Sequence, residues 1–142
     1  MGYRSEVAYV IRFGSKTDMD TFVALQLTKA DEWITQALKE LSVVDADQPN
    51  PVLYFYADSV KWYDGYKDVE AHKTLMNEVV ELFPDAGWHF IRCGEETDDI
   101  TDECDGGDTD LTWEYLTINR PTINTDMGDT TPLIPTEEGE TV

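Results

Sequence analysis

Residues 95–110 read Glu95-Glu96-Thr97-Asp98-Asp99-Ile100-Thr101-Asp102-Glu103-Cys104-Asp105-Gly106-Gly107-Asp108-Thr109-Asp110, and nine of these sixteen residues are carboxylates. No Lys or Arg falls between Arg92 and Arg120. Charge of one sign at this density repels itself and opposes compaction. The stretch therefore reads as a solvated loop. That reading makes the segments on either side, Trp88–Cys93 and Leu111–Arg120, the two arms of an antiparallel hairpin, both rich in β-formers.

The remaining elements follow outward from this hairpin. Residues 4–13 alternate Val7, Tyr9, Ile11 and Phe13 with Ala8 and Val10, as in a strand apolar on most of both faces. After Gly14-Ser15, Thr17 and Asp20 have the spacing of a capping box. Phe22, Leu27, Trp33, Ile34, Leu38 and Leu41 then recur at helical spacing, which predicts one helix over 17–41. Residues 42–51 carry Asp45, Asp47, Pro49, Asn50 and Pro51 and read as a loop. Val52–Ala57 is apolar on both faces, as a central strand would be, and the chain runs on through Val60 and Trp62 to an Asp64-Gly65 turn. A second helix is predicted over 68–83, capped by Asp68 and ended by Pro84.

The order β-α-β-α-β-β predicts an α+β domain over 1–120, a four-stranded mixed sheet with two helices on one face, ferredoxin-like in plan. Residues 121–142 hold five acids and no base among turn formers, which predicts a flexible acidic C-terminal tail.

Composition excludes several functions. Thirty acids against ten bases give a formal charge of −20 over 142 residues, which opposes contact with nucleic acid or an anionic membrane. No apolar run approaches the about 18 residues of a membrane span. The N-terminus lacks the apolar core of an export signal, and Glu6 stands where a myristoylation signal wants Ser or Thr. Cys93 and Cys104 match no zinc spacing, even with His72 and His89, and reduced cytosolic thiols are expected.

A calcium loop with Gly106 at its sixth position would place Thr101, Glu103 and Asp105 at positions one, three and five, but Thr112 at twelve, where a Glu is needed. Two key positions therefore fail, and neither a metal nor a cofactor is expected. Phosphate-binding, nucleophile-elbow and metalloprotease motifs are absent, so no enzyme is expected. The aromatics read mostly as core, with Tyr63 and Tyr66 beside the turn as exposed contacts.

Charge is the remaining signal. The candidate partner-binding residues are Glu95, Glu96, Asp98, Asp99, Asp102, Glu103, Asp105, Asp108 and Asp110, with a second patch at Asp58, Asp64, Asp68 and Glu70. Duplex DNA carries one charge per about 1.7 Å of axis, and a row of carboxylates along an extended segment approximates that field. The expected function is an acidic DNA mimic that occupies the basic site of a DNA-binding protein. The alternative is a divalent-cation-binding or accessory module.

The opening Met1-Gly2-Tyr3-Arg4-Ser5-Glu6-Val7-Ala8, with Phe90-Ile91-Arg92-Cys93-Gly94-Glu95-Glu96 running into Asp98-Asp99-Ile100, resembles a group of small acidic phage-encoded proteins. The resemblance covers residues 1–120 and carries no catalytic residue. It implies a host bacterial cytoplasm and, as partner, a host enzyme that handles DNA: gyrase first, then restriction, recombination or transcription enzymes.

Overall fold

The computed structural model describes residues 4–44, 51–63, 65–96, 99–106, 116–119, 122–125 and 130–133. β1 (Ser5–Arg12) is its central strand, with Val7 through Ile11 fully buried on both faces. It pairs antiparallel with β3 (Val52–Val60) on one side and with β4 (Gly87–Cys93) on the other. β2 (Ser42–Val44) extends the sheet beyond β3, and the order β4-β1-β3-β2 interleaves two split β-α-β units, as in the ferredoxin-like motif.

Two further strands lengthen the sheet. β5 (Ile100–Gly106) pairs with β4, and β8 (Thr130–Pro132) pairs with β2. The α+β class agrees with the sequence reading, but the sheet has six strands, all antiparallel, where a four-stranded mixed sheet was expected.

The helical layer also differs. The predicted helix over 17–41 is two helices, α1 (Lys16–Thr28) and α2 (Glu32–Lys39). Ser15, not Thr17, caps α1, its hydroxyl accepting from Asp18 N–H at 3.1 Å. The break comes where Ala30 adopts φ 53°, a left-handed conformation that stops a helix. Asp31 then caps a new helix by accepting from the N–H groups of Trp33 (2.8 Å) and Ile34 (3.2 Å). The break re-aims the apolar stripe. α1 buries Met19, Phe22 and Gln26 while Leu25 and Leu27 stay exposed, and α2 buries Ile34, Ala37 and Leu38. α3 (Lys67–Leu82) begins one residue before the predicted start, with Tyr66 and not Asp68 at its cap position.

Alternation along β1 divides the core. Val7, Tyr9, Ile11 and Phe13 face the helices with Leu53, Phe55, Leu75, Val79 and Phe90, while Ala8 and Val10 face the other side with Val44, Val52, Ile91 and Cys93. A separate hairpin of β6 (Leu116–Asn119) and β7 (Thr122–Thr125) lies against β1 and β4. These are interior strands whose first face is taken by the helices, so the hairpin covers the second face.

The acidic stretch is the main correction. The partner of 88–93 is 100–106 and not 111–120, because residues 100–106 form β5 rather than loop. β4 is buried almost throughout, so its backbone donors and acceptors need partners on both sides. A short turn from Gly94 to Asp99, closed by Gly94 N–H to Asp99 O at 2.8 Å, delivers the nearest available backbone. Within the predicted final strand, 116–119 pairs instead with 122–125, and 111–115 lie outside the described residues. The predicted loop at 42–51 opens with β2, and 45–50 lie outside the described residues. The segment past 121 supplies β7 and β8, and Leu133 packs against the core and donates N–H to Leu41 O at 2.9 Å.

Candidate functional site: the acidic edge strand

β5 is the outermost strand on its side of the sheet, and Asp102, Glu103, Cys104 and Asp105 along it are all exposed. Its register against β4 sorts the acids by face. Glu103 and Asp105 stand opposite Phe90 and Trp88, on the helix side, whereas Asp102 stands opposite Ile91, on the hairpin side. At about 3.4 Å of rise per residue, three carboxylates occupy about 10 Å of strand. That is a mean spacing of about 5 Å, wider than the one charge per about 3.4 Å of axis along one strand of duplex DNA.

β4 fixes part of this array. Arg92 holds Asp99 through Nη2 at 2.7 Å and also reaches Ser5 Oγ (3.0 Å) and Thr101 Oγ1 (3.4 Å). His89, fully buried, places Nε2 2.7 Å from Asp102 Oδ1, a donor–acceptor pair that ties the carboxylate to the sheet. At the turn, Glu95 Oε2 accepts from Arg4 N–H at 2.6 Å. Asp105 Oδ1 accepts from Gly106 N–H at 2.8 Å. Glu96 and Glu103 are exposed. Glu95, Glu96, Asp99, Asp102, Glu103 and Asp105 are thus displayed on a paired strand and a closed turn. Asp98, Asp108 and Asp110 lie outside the described residues.

The second predicted patch meets the acidic turn at one point, where Asp58 and Glu95 line the same small cavity. Asp58, Asp68 and Glu70 are exposed around the end of β3 and the start of α3, and Asp64 lies outside the described residues. Glu70 is engaged locally, by Gly65 N–H at 3.2 Å and by Lys73 at 3.9 Å. The chain swings here because β3 carries an irregularity against β1 at residues 57–60, with Ser59 at φ 57°. Tyr66 is 46% exposed, as expected, and meets the half-buried Tyr63 edge to face at 5.2 Å.

Strand geometry also bears on the cation alternative. Thr101, Glu103 and Asp105 share a face of β5, but alternate residues of a strand lie about 6.8 Å apart. Calcium needs several oxygens within about 2.6 Å of one point. Among the described residues no group of three His, Cys, Asp or Glu could hold a metal ion. Of the four residues weighed for zinc, His89 on β4 and Cys104 on β5 stand opposite each other, while Cys93 lies four residues along β4 and His72 lies on α3.

Sequence reading missed a second feature. His72, 2% exposed, joins the buried Tyr9 to Glu40, with Nδ1 2.6 Å from the Tyr9 hydroxyl and Nε2 2.8 Å from Glu40 Oε1. With a carboxylate on the Nε2 side, a neutral ring donates there and accepts the tyrosine proton at Nδ1. Burial, and then the Glu40 charge, push the Tyr9 hydroxyl well above its ordinary pKa. The ring packs on Phe55 and Trp62 at the floor of a cavity of about 690 Å³, also lined by Arg4, Lys61 and Tyr66. The helical spacing of His72 marked it as core, which it is. Nothing in the sequence pointed to its two partners, 63 and 32 residues away.

Among the described residues no helix is long and apolar enough to cross a membrane. Comparison with protein-family models, with curated proteins and with solved structures finds no match.

Proposed function

We propose that this chain is a non-catalytic acidic decoy that occupies the basic DNA site of a host DNA-binding protein. Gyrase is the first candidate in a bacterial cytoplasm, with restriction, recombination and transcription enzymes next. The observation that supports the reading is the acidic edge. Its carboxylates are arrayed about 5 Å apart on a regular strand, with Asp99 and Asp102 held in place from β4. A net charge of −20 adds a long-range field of the same sign. Such a field accelerates association with a basic groove and makes it salt-dependent.

The test is capture of partners from bacterial lysate on the immobilised full chain at low and high salt, followed by competition with duplex DNA. The expected result is a basic DNA-binding protein that is released by salt and displaced by DNA. A partner whose retention ignores both treatments would overturn the reading.

A further inference from the structure

Besides its side chains, β5 offers a backbone edge. Gly94 N–H bonds to Asp99 O, and partners in an antiparallel ladder alternate between bonded and non-bonded pairs. Thr101, Glu103 and Asp105 therefore direct N–H and C=O toward β4, while Asp102 and Cys104 direct theirs outward. The same alternation carried across β4 and β1 agrees with the bond from Phe13 N–H to Pro51 O at 3.0 Å on the far side of β1. Among the described residues nothing pairs with this outer edge, and Asp102 and Cys104 are exposed.

An open edge is ordinarily blunted by a bulge, a proline, brevity or charged side chains. β5 lacks the first three. It runs seven residues in unbroken register with β4, in contrast to the irregular β1–β3 pairing. What it does have is negative charge on both faces. Charge on both faces disfavours a second copy of the same strand and favours a strand bearing Lys or Arg.

We propose that β5 is a docking edge that takes an extended basic segment of a partner protein as a seventh strand, by β-strand addition. Backbone groups of Asp102 and Cys104 would pair with the incoming chain, while its basic side chains meet Glu103 and Asp105 on one face and Asp102 on the other. The proposal rests on the reading of this edge as the partner-facing surface and does not require that DNA be displaced.

The probe is an end-blocked octapeptide of alternating Lys and Thr, compared with the same peptide N-methylated along its pairing edge, each added to the full chain at low salt. Amide hydrogen exchange should slow at Asp102 and Cys104 and stay unchanged at Glu103 and Asp105, which are already bonded to β4. The N-methylated peptide should bind about tenfold or more weakly, since backbone bonds are lost at constant charge. Equal binding of the two peptides, binding without slowed exchange at Asp102 and Cys104, or no binding would each overturn the proposal. Cys104→Pro, which removes one outward N–H without changing charge, should weaken the unmodified peptide alone. If that variant does not fold, the N-methylated peptide still decides. Duplex DNA competition against the captured partner, run in parallel, separates the two ideas. Strand addition without DNA competition would sink the decoy and keep the docking edge, and the reverse result would do the opposite.

Discussion

β4 and β5 are neighbours in one ladder, equal in length and paired residue for residue, yet they are built on opposite principles. β4 is buried almost end to end and contributes Trp88, Phe90 and Ile91 to the two halves of the core. β5 exposes Asp102 through Asp105 and contributes almost nothing to either half. One strand exists because of what its side chains bury. The other exists because the first leaves a buried backbone edge that must be satisfied. A strand of the second kind is free to carry almost any side chains, so its composition can be set by function.

The comparison breaks first at the core. Ile91→Ala in β4 empties a fully buried site and should cost about 2–5 kcal/mol in denaturant unfolding. A cost below about 1 kcal/mol would mean that β4 is not the strand that organises its neighbour. The far end of β5 is the next most sensitive position. Gly106 has φ 102°, and an added Cβ would lie 2.3 Å from Ala86 O. Gly106→Ala should therefore cost about 1–3 kcal/mol and loosen the end of the strand, visible as faster exchange of the Asp105 amide. Unchanged exchange and stability would show that the end is not pinned there.

The opposite edge sharpens the contrast. Ending the chain after Thr125 removes β8 and the half-buried Leu133, and should cost about 1–2 kcal/mol by loss of apolar burial. Wild-type stability in that truncation would mean that β8 adds nothing to the sheet.

Glu78 supplies an acid of the ordinary, engaged kind. Burial alone would raise its pKa, but hydrogen bonds from Gln26 and Lys29 and the Lys29 charge outweigh burial and lower it. A carboxyl with a lowered folded pKa stabilises the fold above its unfolded value and loses that contribution as pH falls through the folded value. Glu78→Gln should therefore be less stable than wild type near neutrality, and the gap should close below the ordinary value of 4.5. A gap that is constant with pH would mean that the charge plays no part.

The smallest effect on stability belongs to β5 itself. Glu103→Gln with Asp105→Asn should leave stability within about 0.5 kcal/mol, while association with the captured partner slows and its salt dependence flattens. The same neutralisation at Asp58 and Asp68 should matter less. Equal effects would mean that net charge alone is recognised.

This contrast also marks what was legible in the sequence. β1, β3, β4 and α3 were readable because burial imposes a period on their residues, and Tyr9, Phe55, Leu75 and Phe90 lie where that period puts them. The split of the long helix was signalled only by Asp31, an N-cap residue inside an otherwise helical stripe, because the left-handed turn at Ala30 has no sequence marker. β5 was invisible for a different reason. Ile100–Gly106 has no apolar alternation, and the cause of its pairing lies in β4 and not in itself. The acids of the site were plain from composition, but their sorting onto faces depends on register. His89 and Arg92, which hold Asp102 and Asp99, were readable only as strand residues.

The place of β1 has a consequence for how the molecule comes into being. β1 leaves the ribosome before both of the strands it must end between, which lie about 50 and 80 residues further along. At about 5–20 residues per second, β1 waits at least about 4 s after its own synthesis before β4 exists. So many long-range pairings also make for slow closure once the chain is complete. β5 then needs only a local turn to add itself to β4. The sheet is thus assembled from distant parts, and its charged edge is laid down only after the strand that carries it, so the chain stays without its acidic face until β4 exists.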